Sequence, residues 1–86
     1  MRIGSWDVAR EAGLREAEKR LNARIERYWV DSISLEPKPM GGLWNVRLEL
    51  QLRKGLGKRL VRVSMRLDPE TGEVEEFKAA GSERAF

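Results

Sequence analysis

The stretch Leu52–Arg62, LRKGLGKRLVR, places five basic residues in eleven positions without a single acid. Lysine and arginine clustered on one element are typical of a surface that meets a polyanion. The two glycines between them free the backbone to turn its N–H groups toward a phosphate. The sequence therefore predicts a candidate polyanion or partner contact in this region, and the alternative is a hairpin end that is merely soluble. Its residues are Arg53, Lys54, Lys58, Arg59 and, on the preceding strand, Arg47.

The GLGKR segment inside this stretch is not a phosphate-binding P-loop. That motif has the pattern G-x-x-x-x-G-K-[ST] and lies between a strand and a helix. Here Arg59 follows Lys58, and the flanking segments both have the alternating pattern of strands.

Catalytic and metal-binding chemistry is not expected from the residue types present. The chain contains no histidine and no cysteine, so the commonest general base and the commonest zinc ligands are absent. Glu75 and Glu76 are neighbours in a predicted strand, so they face opposite sides and cannot form an acid–base pair. Ser32, Ser34 and Ser64 have no base to activate them. The sequence predicts a non-enzymatic protein without catalytic residues, metal or cofactor.

One helix and four strands account for most of the chain. Residues 5–29 are predicted to be helical, because Ser5 suits an N-cap and apolar residues recur at steps of three and four. Trp6, Tyr28 and Trp29 are expected in the core or at its rim. Alternating apolar residues predict strands at 30–36, 43–53, 59–68 and 73–77, and residues 78–86 are expected to be a frayed tail.

These elements predict an α+β fold, in which the N-terminal helix packs on one face of a four-stranded antiparallel meander sheet. The length of 86 residues suits one domain spanning 1–86. The other face of the sheet is expected to be polar, and its two central strands carry no outward aromatic residue. Only Phe77 is a candidate for that face, so a base-stacking nucleic-acid surface is not favoured.

The charges are unevenly distributed, and strand pairing offers an explanation without a ligand. The segment 47–66 has seven cations and one acid, whereas 68–86 has six acids and two cations. Because directly opposed residues of antiparallel strands share a face, we expect Glu49 opposite Arg62 with a four-residue loop at 54–57. By the same reasoning Leu67 lies opposite Val74, and Arg66 lies opposite Glu75. The acidic last strand then neutralises much of the basic third strand.

The segments WNVRLELQL and RLVRVSMRLDPETGEVEEF resemble the PepSY-type module, in which a helix precedes antiparallel strands and a D-x-x-T-G-E-V turn joins the last two. The resemblance covers about residues 14–77, and its sharpest part is DPETGEV at 68–74. It implies a non-enzymatic module that regulates or binds other proteins. The order of helix, W-x-V-x-L-E strand and basic stretch is also similar, more weakly, to gas-vesicle accessory protein O.

The function predicted from these patterns is a small non-catalytic protein-interaction or regulatory domain. A homodimer is a candidate assembly, because the predicted sheet has two edge strands open to pairing. The second hypothesis is a weak, sequence-independent binder of nucleic acid or another polyanion through the basic hairpin. No apolar run is long enough for a membrane span, and no secretion signal is recognised, so a cytoplasmic location is expected.

Overall fold

The computed structural model describes residues 2–37, 42–54 and 57–82, except for the side chains of residues 54 and 82. A helix, α1 (Trp6–Leu21), is followed by β1 (Arg24–Glu36), β2 (Leu43–Lys54), β3 (Gly57–Leu67) and β4 (Val74–Ser82). The strands form one antiparallel sheet in the order β1-β2-β3-β4. Helix α1 packs on one face of this sheet, so the predicted α+β architecture is confirmed.

Helix α1 begins where the sequence indicates but ends much earlier than predicted. The hydroxyl of Ser5 accepts a hydrogen bond from the Val8 N–H (3.3 Å), as an N-cap does. At the other end Asn22 adopts left-handed backbone angles (φ 49°, ψ 47°) and closes the helix. The prediction of a helix over 5–29 is therefore wrong beyond Asn22, and residues 24–29 belong to β1.

Two irregularities in β1 explain why the spacing of apolar residues at its start resembles that of a helix. The register with β2 shifts between Ile25 and Arg27 and again between Val30 and Ser32, so each gap holds one extra residue. Such a bulge turns the strand period of two into a local step of three. The steps from Ile25 to Tyr28 and from Val30 to Ile33 on the helix side of the sheet are consequently three residues long, as in a helix.

The core lies between the two central strands and the small residues of α1. The alternate residues 46, 48, 50 and 52 of β2 and 61, 63, 65 and 67 of β3 are buried, as the alternation predicts. On the helix, Ala9, Ala12, Gly13 and Ala17 face them. A Cβ placed on Gly13 would lie only 3.1 Å from Val46 Cγ1, so the absence of a side chain lets helix and sheet approach closely.

The register between β2 and β3 is the predicted one, with Glu49 opposite Arg62. The strands continue closer to the turn than expected, since Lys54 pairs with Gly57. Between β3 and β4 the pairing of Leu67 with Val74 is confirmed, but a register shift follows it. Arg66 therefore lies opposite Glu76, and the predicted pairing with Glu75 is wrong.

Strand β4 is longer than the sequence indicates. It runs to Ser82, where it pairs with Leu60, so residues 78–82 are strand and the expected frayed tail is wrong for them. Residues 83–86 of that predicted tail lie outside the described residues. The shift at Glu75 also turns Phe77 to the helix side, where it lies opposite Met65 and under the guanidinium of Arg20 (5.1 Å).

The first residues of the chain close one end of the core. Ile3 is almost fully buried, its N–H donates to the carbonyl of Pro69 (2.7 Å), and its own carbonyl accepts from Trp44 Nε1 (3.0 Å). The carboxylate of Asp68 accepts from the N–H of Glu70 (2.7 Å), which forms the tight turn expected between β3 and β4.

Candidate interaction surfaces

The sheet face opposite α1, called the helix-free face below, is polar and strongly charged. The alternation in β2, β3 and β4 and the register with β1 determine which side chains lie on it. Its carboxylates are Glu26, Asp31, Glu36, Glu49 and Glu76, and its cations are Arg24, Arg27, Arg47, Arg53, Lys58, Arg62, Arg66 and Lys78. Cations are therefore in excess on this face.

Ion pairs neutralise only part of this charge. Arg62 Nε lies 3.7 Å from a Glu49 carboxylate oxygen, and Arg66 lies 3.7 Å from Glu36 and 3.8 Å from Glu76. These contacts agree with the expectation that carboxylates accompany the central arginines. Being solvent-exposed, each contributes at most about 1 kcal/mol to folding. A second group of cations forms no ion pair with any residue that the structure describes. This group consists of Arg24, Arg27, Arg47 and Lys58.

An aromatic side chain that the sequence placed in the core lies on the same face. Trp29 is opposite Glu49, so it points away from α1, and 46% of it is exposed. The expectation of a core position is therefore wrong for Trp29, and Trp6 and Tyr28 are each 41% exposed as well. The helix-free face thus carries an aromatic residue after all, on the edge strand β1 and not at Phe77.

A shallow depression of about 350 Å³ lies on this face, and its wall includes Asp31, two residues after Trp29 on β1. It forms because small residues of β3 and β4 lie between long basic side chains. The residues that give it its chemistry are Asp31, Arg47, Arg62, Ser64, Lys78 and Ala80. Three cations and one carboxylate on these walls make it suited to an anionic group.

The structure separates the residues predicted as one basic contact. Arg53 and Lys58 oppose each other at the hairpin end, but Arg53 Nε lies 3.5 Å from Glu26, an acid that sequence reasoning had placed in a helix. Arg59 faces the helix side, where its guanidinium covers Gly81. Arg47 lies six residues from Arg53 along β2, about 20 Å away. The side chain of Lys54 lies outside the described residues.

The two edges of the sheet differ in regularity. Strand β1 carries two register shifts, whereas β4 pairs with β3 without interruption from Glu76 to Ser82. Within that run Ala79, Ala80 and Gly81 are small and exposed. The free backbone groups of this segment, called the β4 edge below, are therefore accessible to another strand.

One ionisable group at this edge has a perturbed pKa. The ammonium group of Lys78 lies 2.9 Å from a Glu76 carboxylate oxygen and holds the pKa of that carboxyl below its ordinary value of 4.5. Arg66 adds a smaller effect in the same direction. Glu76 is consequently ionised at neutral pH and partly neutralises the Lys78 charge.

Across the described ranges, no group of three or more acidic side chains is arranged to hold a metal ion. Within the same residues, no helix combines the length and apolarity that crossing a membrane requires.

Comparison with protein-family models, with curated proteins and with solved structures finds no match to this chain. The resemblances to the PepSY-type module and to gas-vesicle accessory protein O therefore stay predictions.

Proposed function

We propose that this chain is a small, non-catalytic protein-interaction domain that binds by strand addition at the β4 edge, and that its partner there is a second copy of itself. The observation that carries the proposal is the unbroken register of Glu76–Ser82 on a strand with no second neighbour among the described residues. An edge strand of this kind offers a row of unsatisfied N–H and C=O groups. Pairing with another edge satisfies them and extends the sheet.

The contrast with β1 favours β4 as the binding edge. The extra residues at Glu26 and Asp31 twist β1 and interrupt the row of free backbone groups. Folded proteins commonly use such bulges to prevent pairing at an edge. From Glu76 onward β4 has no such interruption, and its small side chains offer little steric resistance to a neighbour.

Two requirements select one register for the pairing of two β4 edges: opposed side chains must lie on the same side of the sheet, and they must not carry like charges. A two-fold axis normal to the sheet keeps both helices on one side, and opposed residues then share a face. An axis at Lys78 would place two ammonium groups against each other. An axis at Phe77 would run the pairing into the shift at Glu75. An axis at Ala79 uses all seven regular residues and brings no like-charged side chains into direct opposition.

The test uses two opposite charges at the proposed axis. In a symmetric dimer centred on Ala79, this residue meets its own copy, so Ala79→Glu and Ala79→Lys each place like charges in direct opposition. Both substitutions should weaken the homodimer, whereas an equimolar mixture of the two variants should associate more tightly than either alone. An opposite-charge pair stabilises and a like-charge pair destabilises by about 0.2–1 kcal/mol each, so mixed and homotypic dimers should differ by about 0.4–2 kcal/mol, which is roughly two- to thirty-fold in Kd.

Sedimentation equilibrium over a wide concentration range measures these Kd values. Ser34→Glu and Ser34→Lys, on exposed β1, are matched controls that make the same changes in net charge at the opposite edge. If net charge alone governed association, glutamate and lysine would act in opposite directions at Ala79 and at Ser34. That pattern, or a strictly monomeric wild-type protein at millimolar concentration, contradicts the proposal.

A further inference from the structure

We infer that the helix-free face is a binding surface for single-stranded nucleic acid, in which Trp29 stacks on a base and the depression that begins at Arg47, a diagonal neighbour of Trp29, receives the phosphate backbone. This inference does not rest on the proposed association through β4. A dimer formed at that edge would leave the helix-free face of both copies open.

Trp29 has the position that base stacking requires. It points out of an open sheet face, and almost half of its surface is exposed without a described hydrogen bond or ion pair. An indole exposed this far is not there for core packing, since the core is on the other side of the sheet. Every base has a flat apolar face, so one exposed ring on a rigid strand binds single strands with little sequence preference.

The cations nearest to Trp29 are placed for a sugar–phosphate backbone. Arg47 is a diagonal neighbour of Trp29, about 7–8 Å away across the β1–β2 pair. Its guanidinium has no ion-pair partner among the described residues, so binding a phosphate would break no existing contact. Arg27, on the next outward position of β1, is also exposed and without a described ion pair.

The depression extends this cationic path across the sheet. Arg47, Ser64 and Lys78 lie opposite one another on β2, β3 and β4, a span of about 10 Å at ordinary strand spacing. Their guanidinium, hydroxyl and ammonium groups are all hydrogen-bond donors for phosphate oxygens. Glu49 and Asp31 also border the path and oppose an anion, which limits the affinity.

A single strand fits this surface better than a duplex. Stacking on Trp29 needs an unpaired base, whereas a duplex is read by a helix or ribbon that enters a groove. Among the described residues, Trp29 and the basic residues of the depression all lie on strands of the sheet, and no helix or ribbon projects from this face.

Fluorescence anisotropy of a labelled oligothymidylate tests the inference, and a length of about 12 nucleotides lies within the roughly 4–16 nucleotides that a single-strand-binding OB fold covers. Titrations at about 50 and 200 mM salt give both the affinity and its salt dependence. Trp29→Ala should weaken binding about five-fold or more, and Trp29→Phe should retain most of the affinity. Arg47→Gln should weaken binding and reduce the slope of log K against log salt by about 0.7, the value for one phosphate contact on a single strand.

Three further variants test the direction of one effect and supply two controls. Glu49→Gln should tighten binding, because it removes a carboxylate beside Trp29 and releases Arg62. Trp6→Ala and Lys19→Gln remove an exposed indole and a charge from α1, on the opposite side, and should leave affinity within about two-fold.

Absence of binding to the oligonucleotide at low salt overturns the inference. Binding that is unchanged by Trp29→Ala and Trp29→Phe also overturns it, since the contact would then be charge attraction elsewhere. Equal affinity for single strand and duplex also overturns the inference, because stacking on Trp29 requires an unpaired base. Far-UV circular dichroism of each variant establishes that it is folded, and Arg47→Gln tests the surface without altering its aromatic residue.

Discussion

Replacement of Leu48 by alanine should remove a large part of the stability of this domain, whereas the same replacement at Leu35 should remove little. Leu48 has no exposed surface, and its side chain lies between the sheet and α1. Leu35 faces the same side of the sheet but lies on the edge strand, and 51% of it is exposed. The two variants delete the same atoms, so the difference between their losses in free energy of unfolding measures how well the helix covers each position.

The magnitudes follow from burial. A fully buried Leu→Ala change costs about 2–5 kcal/mol, which is the lost transfer energy plus the cavity that remains. At Leu35 half of the side chain is already in water and no closed cavity forms, so the expected cost is below about 1 kcal/mol. In a domain of this size, about 3 kcal/mol lowers Tm by roughly 12–24 °C.

Urea unfolding at low protein concentration, followed by far-UV circular dichroism, gives both free energies without a contribution from association. The m-values of the two variants should match that of the wild-type protein. Equal losses at Leu48 and Leu35 would refute the reasoning, because the helix side of the sheet would then be uniformly open or uniformly covered.

Three smaller effects are expected. Trp44→Phe removes the donor to the Ile3 carbonyl and should cost about 1–2 kcal/mol in urea unfolding. Asn22→Ala should cost about 1 kcal/mol because alanine resists the left-handed backbone, whereas Asn22→Gly should be neutral or stabilising. In Lys78→Ala the pKa of Glu76, followed by NMR titration, should rise toward its ordinary value. Because that pKa is lowered in the folded state, its stabilising effect is present above pH 4.5, is lost as the pH falls through the folded value, and shrinks in this variant.

Control substitutions at exposed helical sites show whether these effects come from the named contacts. Trp6→Phe keeps an aromatic ring at an exposed helical site and should change stability by less than about 0.5 kcal/mol. Lys19→Ala removes a lysine from α1 and should leave the pKa of Glu76 unchanged. A loss at Trp6 as large as at Trp44 would argue against the hydrogen bond to Ile3, and equal costs for Ala and Gly at Asn22 would argue against backbone strain.

Two sequence rules predicted the centre of the sheet well: the alternation of apolar and polar residues, and the requirement that opposed residues share a face. From Val46 to Leu52 and from Val61 to Leu67 every second residue is buried, and the requirement that opposed residues share a face was enough to set Glu49 against Arg62. The same rule failed between β3 and β4, because it assumes one residue per step. The extra residue at Glu75 shifts all later pairs by one, so Arg66 meets Glu76 and Phe77 turns inward.

Bulges also account for the largest error, the extension of the helix through Trp29. Asn22 is a moderate signal for a helix end, and the steps from Ile25 to Tyr28 and from Val30 to Ile33 match helical spacing. The competing signal was the density of β-branched and aromatic residues after Asn22, which favours a strand. Because Trp29 was predicted to be helical, the sequence did not indicate that an aromatic residue lies on the helix-free face, and the binding inference depends on that residue.

Per-residue amide hydrogen exchange at increasing protein concentration tests the central claim, pairing at the β4 edge, most directly. The account predicts that alternate amides of Glu76–Ser82, those directed away from β3, become protected as concentration rises, while the outer amides of β1 exchange at a constant rate. Exchange at these β4 amides that is independent of concentration, or new protection confined to β1, would contradict it.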